Sequence, residues 1–151
     1  MKKQIYPPMH SAEHILNQTM VRLFGTERCF SAHIERKKSK CDYHFHRDLQ
    51  KHEIEEIERK VNEIIDEDLP IEEEYISLDE AKERFDLRRL PDPPPDMIRI
   101  VKIGDYDECP CIGPHVKSTK EIGRFRIVSV SFKEGVLRIR YRLNSPQKEY
   151  L

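Results

Sequence analysis

The sequence predicts an α+β fold in which a mainly antiparallel sheet packs against two longer helices. Three observations support this class. Two stretches carry apolar residues at three- and four-residue spacing, which is typical of helices that bury one face. Four short stretches rich in strand-forming residues occur as two pairs, each joined by a short polar turn, as in β-hairpins. A separate apolar run at residues 97–103 predicts a buried strand.

The first helix is predicted over residues 9–24, and Gly25 is expected to form its C-cap. At about 100° per residue, its apolar side chains fall on one stripe, which comprises Ala12, Leu16, Thr19, Met20 and Leu23, with Ile15 at the edge. His10 and His14 fall on a second stripe, roughly opposite. We therefore expect these histidines outside the apolar core, either as metal ligands or as solvated surface residues.

The middle of the chain is predicted to form strands at 29–36 and 39–46, a helix from about 49 to 68, a strand at 71–76 and a short helix at 78–85. Asp48 is a candidate N-cap for the longer of these helices, and Pro70 follows its end. Ser77 and Glu80 have the spacing of a capping box, which predicts the start of the short helix.

The last part of the chain follows a proline-rich connector at residues 91–95. Its predicted elements are a strand at 97–103, a loop at 104–114, and strands at 124–132 and 136–143 that turn at Glu134 and Gly135. In the final strand, arginines alternate with apolar residues. One face of this strand should therefore pack against the core while the other presents guanidinium groups.

Charge is strongly segregated along the chain, although the net charge is only -1. Residues 53–86 contain fifteen acidic and four basic residues, whereas residues 116–151 contain nine basic and three acidic ones. The basic segment is a candidate surface for an anionic partner. Its arginine ladder is either a set of phosphate contacts or a solvated face. The candidate contact residues are Arg124, Arg126, Arg138, Arg140 and Arg142.

Length and composition predict a single domain over residues 1–151, with a polar surface because 36% of the residues are charged. The amino-terminal residues lack the apolar run of a signal peptide, and no run of 18 apolar residues occurs, so no membrane partner is expected. The four cysteines are expected to be reduced, which favours a cytoplasmic protein. Cys29 and Cys41 are expected to be small core residues, while the role of Cys109 stays open.

Two short motifs carry the chemistry that the sequence suggests. His10 and His14 are four residues apart, so both imidazoles can point to one ion from the same helix face. Cys111 and His115, about a hundred residues later, repeat this spacing. Three imidazoles and a thiolate form a tetrahedral nitrogen and sulfur set, which suits Zn2+ better than calcium or magnesium. The sequence therefore predicts a zinc site at His10, His14, Cys111 and His115.

These motifs, together with Glu121, Ile122 and Gly123, resemble the editing domain of alanyl-tRNA synthetase, its free-standing relatives and threonyl-tRNA synthetase. Two further landmarks agree, the pair at residues 42–43 and the triplet at residues 103–105. The resemblance covers nearly the whole chain. It implies a trans-editing hydrolase that acts on the acceptor end of mischarged tRNA and cleaves the ester of a wrongly attached serine or glycine.

The resemblance also implies a zinc site at the four residues already singled out. Four protein ligands would close a tetrahedral zinc shell, so zinc is expected to order the pocket while an activated water attacks the ester. Glu13 is a candidate base or amine contact, and otherwise a solvated carboxylate or a partner of the ligands. By the same resemblance, His33 is a candidate for lining the amino-acid pocket, and Lys102 for assisting catalysis, although an exposed strand lysine is the simpler interpretation.

The cognate tRNA stays open between the alanine and threonine types, because Gly113 and Pro114 follow the threonyl branch while residues 121–123 follow the alanyl branch. Two other functions also stay open. His10, Glu13 and His14 match the inverted zinc-protease signature, in which the carboxylate would be the general base. Alternatively, the chain is a non-catalytic RNA-binding module stabilised by zinc, with the arginine ladder as its binding surface.

Overall fold

The computed structural model describes residues 5–88 and 90–144. Within these residues, helices α1, α2 and α3 span Pro7–Phe24, Lys51–Asp66 and Leu78–Arg84. Strands β1 to β7 span Ser31–His33, Ser39–His44, Ile71–Ser77, Met97–Ile103, Asp107–Pro110, Phe125–Lys133 and Val136–Leu143. A single turn of 3-10 helix covers Thr119–Ile122. The last seven residues of the basic segment lie outside the described residues.

The strands form two antiparallel sheets. The first has four strands in the order β1-β2-β7-β6, and the second has three in the order β3-β4-β5. The predicted α+β class is therefore confirmed, but the strands divide between two sheets. In the four-stranded sheet, the amino-terminal and carboxyl-terminal hairpins lie side by side, because β2 pairs with β7. The pairing runs from Ser39 opposite Tyr141 to His44 opposite Val136.

The structure corrects one predicted loop and shortens one predicted strand. Residues 104–114 were expected to form a loop, but Asp107–Pro110 pair with β4, with Cys109 opposite Val101. Pairing with a buried neighbour overrides the low strand propensity of acidic residues and proline. The strand predicted at 29–36 is reduced to Ser31–His33. The carboxyl-terminal hairpin turns as predicted, with positive φ at Glu134 and Gly135.

Helix α1 ends as predicted at Gly25, which adopts a left-handed conformation with φ 68°. Helix α2 begins later than predicted, because Gln50 and Glu53 form the capping box and Asp48 does not cap it. Glu53 is further held by Arg47, whose guanidinium donates two hydrogen bonds of 2.8 Å to it. The predicted cap of α3 is confirmed, since the Ser77 hydroxyl accepts from the backbone N–H of Glu80.

The main core lies where α1, α2 and the inner face of the four-stranded sheet meet, and its largest fully buried side chains include Tyr43, Tyr141 and Phe125. Cys29 and Cys41 belong to this core, as expected. A smaller core between α3 and the three-stranded sheet contains Ile98 and Ile100. Among the described residues, none of the helices combines the length and apolar character needed to cross a bilayer.

Candidate metal centre

The structure brings together the four side chains that the sequence singled out as ligands. The Sγ atom of Cys111 lies 3.4 Å from Nε2 of His10 and 3.5 Å from Nε2 of His115. Each of the four residues, including His14, offers a donor atom within 4.8 Å of the other three. The cluster joins the first half of α1 to the segment that follows β5.

The histidine face of α1 is buried, which corrects the expectation that it lies outside the core. His10 is 7% exposed and His14 is 3% exposed, so neither is a solvated surface residue. The helix is covered on this side by a segment that is remote in sequence, as the hydrogen bond from the backbone N–H of Val116 to the Ser11 hydroxyl shows. Burying a polar ring costs free energy unless the ring has hydrogen-bond partners, so the contacts of these rings determine whether they can serve as metal ligands.

Each of the three histidine rings has its Nδ1 atom beside a different polar group. His10 Nδ1 is 3.1 Å from the carbonyl oxygen of Pro114, and His115 Nδ1 is 2.9 Å from the hydroxyl of Ser11. His14 Nδ1 is 3.7 Å from a carboxylate oxygen of Asp107. With Nδ1 of each ring turned toward these groups, the Nε2 atoms are the ones available to a metal.

Asp107 is the buried carboxylate behind His14, and its side chain is fully shielded from solvent. It accepts hydrogen bonds from Arg28 at 2.7 Å and from Gln18 at 2.8 Å. Burial opposes its charge, but the contacts with His14 and Arg28 hold the pKa of Asp107 well below its usual range. His14 Nδ1 is a buried nitrogen without a hydrogen bond within the standard distance. A small shift of the ring toward Asp107 would satisfy it.

The cluster stabilises a thiolate at Cys111. Burial opposes this charge, but hydrogen bonds from His10, His115 and His14 lower the pKa of the Cys111 thiol to about 3. Burial also opposes the charge of His14, yet Asp107, Cys111 and Glu13 together raise the pKa of His14 to about 9. A thiolate is the form of cysteine that binds metals. The thiolate is therefore ready to bind a cation, whereas His14 must release a proton when a metal binds.

The spacing of the donor atoms fits zinc. A tetrahedral Zn2+ with nitrogen ligands near 2.05 Å and a sulfur ligand near 2.3 Å places nitrogen and sulfur about 3.5 Å apart. The two nitrogen–sulfur separations of 3.4 and 3.5 Å match this value. Three imidazoles and one thiolate are also ligands that Zn2+ favours over oxygen-preferring cations. The residues present therefore fit a zinc ion.

Two features fix the segment that supplies Cys111 and His115. The first is Arg99, whose Nη1 atom donates hydrogen bonds to two carbonyl oxygens, that of Cys111 at 2.9 Å and that of Gly113 at 2.8 Å. Gly113 lies so close to His10 that a Cβ atom there would be 2.3 Å from Cε1 of the ring. Glycine is thus required by space at this position. The resulting loop leaves a cavity of about 190 Å³ beside His115, and Arg99 and Val101 also line it.

Glu13 is buried beside the cluster and is not a solvated carboxylate. Its Oε1 atom lies 3.8 Å from Nε2 of His14 and 4.0 Å from Nε2 of His10. Its Oε2 atom accepts from the side-chain amide of Asn17 at 3.2 Å and from the thiol of Cys29 at 3.4 Å. One oxygen is therefore held by the core while the other faces the candidate ligands.

The structure does not bring His33 or Lys102 to this cluster. Ala32 pairs with Cys41 and packs against the main core, so strand alternation directs the exposed side chain of His33 to the other face of its sheet. Lys102 lies on the same face of β4 as Ile100, in the direction of the small core. The face that carries Arg99 and Val101 is the one beside His115.

The predicted arginines of β6 and β7 lie on the outer face of the four-stranded sheet, whereas Arg124 precedes β6. Arg138 is paired with Asp42, with hydrogen bonds of 2.8 and 2.9 Å, and Arg124 is paired with Asp66. Arg126 and Arg142 are exposed and directly opposite each other on β6 and β7. These two arginines and the half-buried Arg140 form the part of the ladder without a carboxylate partner among the ion pairs of the described residues.

Sequence reasoning did not find Asp107, Ser11, Arg28 or Arg99 as supports of the site. Ser11 stands between His10 and His14, so its position was the one available signal. Asp107 was hidden within a stretch predicted as loop, and its partner Arg28 is 79 residues away. Contacts of this kind depend on the assembled fold and leave no local spacing to detect.

Comparison with known proteins identifies related sequences over almost the entire chain. Residues 98–140 match the family model described as the threonyl and alanyl tRNA synthetase second additional domain. The chain is 36% identical over 144 residues to an alanine–tRNA ligase of Fervidobacterium nodosum, covering 94% of the chain and 17% of that protein. A Bacillus subtilis alanine–tRNA ligase is 34% identical over 81% of the chain and 14% of its own length. The chain thus spans less than a fifth of these relatives.

Proposed function

We propose that the chain is an aminoacyl-tRNA deacylase, because it matches the family model of the threonyl and alanyl tRNA synthetase second additional domain and is similar to alanine–tRNA ligases. The proposed reaction is hydrolysis of the ester between a wrongly attached amino acid and the terminal ribose of tRNA. Water attacks the ester carbonyl, the carbon–oxygen bond to the ribose breaks, and the free amino acid and tRNA leave. The proposed substrates are Ser- or Gly-tRNA(Ala), or Ser-tRNA(Thr), in the cytoplasm.

One observation carries this proposal: two segments about a hundred residues apart meet in a buried cluster of three imidazoles and a thiol. Polar groups of this kind are not assembled to stabilise a core, because apolar side chains would do so without a desolvation cost. The supporting contacts to Asp107, Ser11 and Pro114 hold the rings in one orientation. Such preorganisation is what a binding or catalytic site requires.

We propose that His10, His14, Cys111 and His115 hold a zinc ion. When bound, zinc supplies positive charge beside the ester and fixes the geometry of the pocket. The protein's own residues then orient the substrate in the cavity beside His115. An aminoacyl ester is intrinsically labile, so orientation and modest electrostatic help are sufficient for useful rates.

Glu13 is the proposed proton acceptor for the attacking water. Its Oε1 atom faces the ligand cluster, and its Oε2 atom is held by Asn17 and Cys29. A carboxylate fixed at one oxygen can take a proton at the other without changing rotamer. The competing role for Glu13 is an ion pair with the α-ammonium group of the amino acid. His33 and Lys102 are left out of the proposed mechanism because their side chains point to other faces.

The proposed tRNA contacts are the phosphates, and the outer face of the four-stranded sheet would supply them. Arg126, Arg140 and Arg142 are the members of the ladder without a carboxylate partner among the described ion pairs, whereas Arg138 and Arg124 each have one. Guanidinium groups bind phosphate oxygens through two hydrogen bonds at once. Contacts to phosphates do not distinguish one tRNA sequence from another, so this surface would only position the acceptor end.

The test is release of labelled amino acid from Ser-tRNA(Ala), Gly-tRNA(Ala) and Ser-tRNA(Thr) by zinc-loaded protein. We expect at least one of them to be deacylated, and His14→Ala to abolish the activity. His52→Ala is the matched control, because this histidine is exposed on α2. Failure of pure, metal-loaded protein to cleave all three substrates would refute the deacylase proposal.

Two outcomes would favour the other functions considered from the sequence. Salt-dependent tRNA binding without deacylation would indicate an RNA-binding module stabilised by zinc. Peptidase activity with zinc retained after Cys111→Ala would indicate a protease. The structure gives the protease little support, because that mechanism leaves Cys111 without a role, whereas its Sγ atom lies 3.4 Å from His10.

A further inference from the structure

A buried polar network lies behind Glu13, between α1 and the four-stranded sheet. Asn17, one turn further along α1, donates from Nδ2 to the Oε2 atom of Glu13 at 3.2 Å. The Oδ1 atom of Asn17 accepts from the hydroxyl of Tyr43 at 2.8 Å and from the backbone N–H of Cys29 at 3.1 Å. Glu13, Asn17 and Tyr43 are all buried. A single amide therefore connects β2 to the carboxylate.

The orientation of the Asn17 amide follows from its partners. The backbone N–H of Cys29 can only donate, so the amide atom that faces it must be the oxygen. The amide nitrogen then lies on the side of Glu13, where a carboxylate oxygen accepts its hydrogen bond. The amide thus has one arrangement that satisfies all of these groups, and this arrangement fixes the Oε2 atom of Glu13.

The stability of the core does not explain this network. Burying a carboxylate, an amide and a phenol costs free energy, which is recovered only when each group is hydrogen-bonded. Apolar side chains of similar size would fill the same space without that cost. What the network adds is a fixed position for Glu13, whose Oε1 atom lies 3.8 Å from Nε2 of His14.

We propose that Asn17 and Tyr43 are positioning residues, which hold the Glu13 carboxylate so that Oε1 faces the candidate ligands and takes the proton. The inference rests on the proposed function, because Glu13 is the proton acceptor there. Tyr43 fixes the amide of Asn17, and this amide fixes Oε2, so the remaining oxygen keeps one direction. Both residues lie outside the cavity beside His115, so each acts through Glu13.

The competing interpretation is that Asn17 only joins α1 to the segment before β1, through the N–H of Cys29. Asn17→Asp separates the two roles. This variant keeps an oxygen for Tyr43 and Cys29, but it replaces the donor that faces Glu13 with a second acceptor. Two carboxylates side by side repel each other, so Glu13 should turn away from its present position.

The first readout is deacylation by the zinc-loaded protein. We expect Asn17→Asp to lower kcat by about 10- to 100-fold, as for a misplaced catalytic group, with KM within about twofold of wild type. Tyr43→Phe should lower kcat by about 2- to 10-fold, because the amide loses one hydrogen bond. Glu13→Gln should lower kcat most, by about 100- to 10,000-fold. If Asn17→Asp does not fold, Tyr43→Phe carries the test, because it leaves the amide intact.

Asn62→Asp and Tyr141→Phe are the matched controls. The amide of Asn62, on α2, donates to the backbone carbonyl of Phe125 at 2.9 Å and accepts from its N–H at 2.9 Å. The hydroxyl of Tyr141 donates to the backbone carbonyl of Met9, and this tyrosine is as fully buried as Tyr43. The controls lose the same chemical groups without touching Asn17, so they should keep the wild-type kcat.

The second readout does not depend on activity. In protein labelled with ¹³C at its glutamate carboxyl groups, the resonance of Glu13 is the one that is missing from Glu13→Gln. We expect Asn17→Asp and Tyr43→Phe to move this resonance, whereas Asn62→Asp and Tyr141→Phe should leave it in place.

A reversed pair, Glu13→Gln together with Asn17→Asp, distinguishes positioning from a purely structural role. It restores the hydrogen bond with donor and acceptor exchanged, so the melting temperature lost in Asn17→Asp should be recovered. The carboxylate is then on the wrong residue, so kcat should stay as low as in Glu13→Gln. Recovery of kcat in the reversed pair would overturn the proposal.

The outcomes also separate this inference from the proposed function. Active wild-type protein whose kcat and Glu13 resonance are both unchanged in Asn17→Asp would overturn the positioning role alone. A resonance that moves as expected, in a protein that deacylates none of the three substrates, would support the fixed position of Glu13 and overturn the deacylase. A rise in KM with unchanged kcat would assign Glu13 to substrate binding and overturn the proposal.

Discussion

The Sγ atom of Cys111 lies 3.4 Å from Nε2 of His10, although the two residues are 101 positions apart in the chain. This contact joins α1 to the segment after β5 and brings two candidate metal-binding motifs into one buried cluster. The separation equals, within about 0.2 Å, the nitrogen–sulfur distance of a tetrahedral zinc site.

Removing the thiol of Cys111 should abolish tight zinc binding. Cys111→Ser keeps the size of the side chain but replaces a thiolate, whose pKa is near 3, with a hydroxyl. We expect zinc affinity to fall by about 100-fold or more, because one of four ligands is lost. Competition with a chromophoric chelator measures the change.

Cys109→Ser is the matched control for this experiment. Cys109 lies two residues earlier, but burial raises the pKa of its thiol to about 12, and the thiol donates to the carbonyl of Pro110. It should therefore bind no metal, and its variant should keep wild-type zinc affinity. Equal losses for both variants would contradict the assignment of Cys111 as a ligand.

Asp107→Asn should weaken zinc binding without removing a ligand. The carboxylate is 3.7 Å from Nδ1 of His14 and orients that ring. Loss of such an orienting group costs about 10- to 100-fold in metal affinity. We also expect the free energy of unfolding to fall by about 1–3 kcal/mol, because Arg28 loses a charged acceptor.

Glu108→Gln controls for loss of a neighbouring carboxylate. Glu108 is exposed and pairs with Arg84 on the surface. Its variant should leave zinc affinity unchanged when both proteins are measured well below their melting temperatures. If Asp107→Asn proves as tight a zinc binder as wild type, Asp107 does not position His14.

Gly113→Ala should disrupt the site through a steric clash alone. The added Cβ atom would be 2.3 Å from Cε1 and 2.7 Å from Nδ1 of His10, so the ring must move. We expect zinc affinity to fall by about 10-fold or more, as for lost orientation of a ligand. Gly25→Ala is the contrasting variant, because its Cβ would meet nothing within 4 Å and its cost of about 1 kcal/mol is conformational. Its zinc affinity should match wild type.

Removing Arg140 and Arg142 together should weaken tRNA binding in a salt-dependent way. These guanidiniums face outward from β7 without carboxylate partners among the described ion pairs. If each contacts one phosphate, the slope of log affinity against log salt should fall by about 1 per residue. Filter binding at several salt concentrations measures the slope. An unchanged slope would indicate that these arginines do not contact phosphates and simply form a solvated face, which is the alternative that the sequence left open.

The four side chains of the cluster could be predicted from the sequence because their spacing within each motif is local. His10 and His14 share a helix face by i, i+4 geometry, and Cys111 and His115 repeat the interval. The burial of the histidine stripe could not be predicted in this way. That stripe looks like a second, polar face of α1, and only the fold shows that a remote loop covers it.

The division into two sheets and the contribution of Asp107 were also beyond the sequence. Strand β5 has acidic residues and a proline where strand formers are expected. It forms by pairing with β4, with Cys109 opposite Val101. Helix and hairpin boundaries near Gly25 and Gly135 were predicted well, because glycine with positive φ marks them locally. Local signals were thus predictable, while contacts between remote segments were not.

X-ray absorption at the zinc edge of the loaded protein tests the central claim most directly. The account predicts one sulfur ligand at about 2.3 Å and three nitrogen ligands at about 2.0–2.1 Å. The sulfur shell should disappear in Cys111→Ser and persist in Cys109→Ser. A wild-type spectrum with no sulfur shell, or one whose sulfur shell survives Cys111→Ser, would contradict the account.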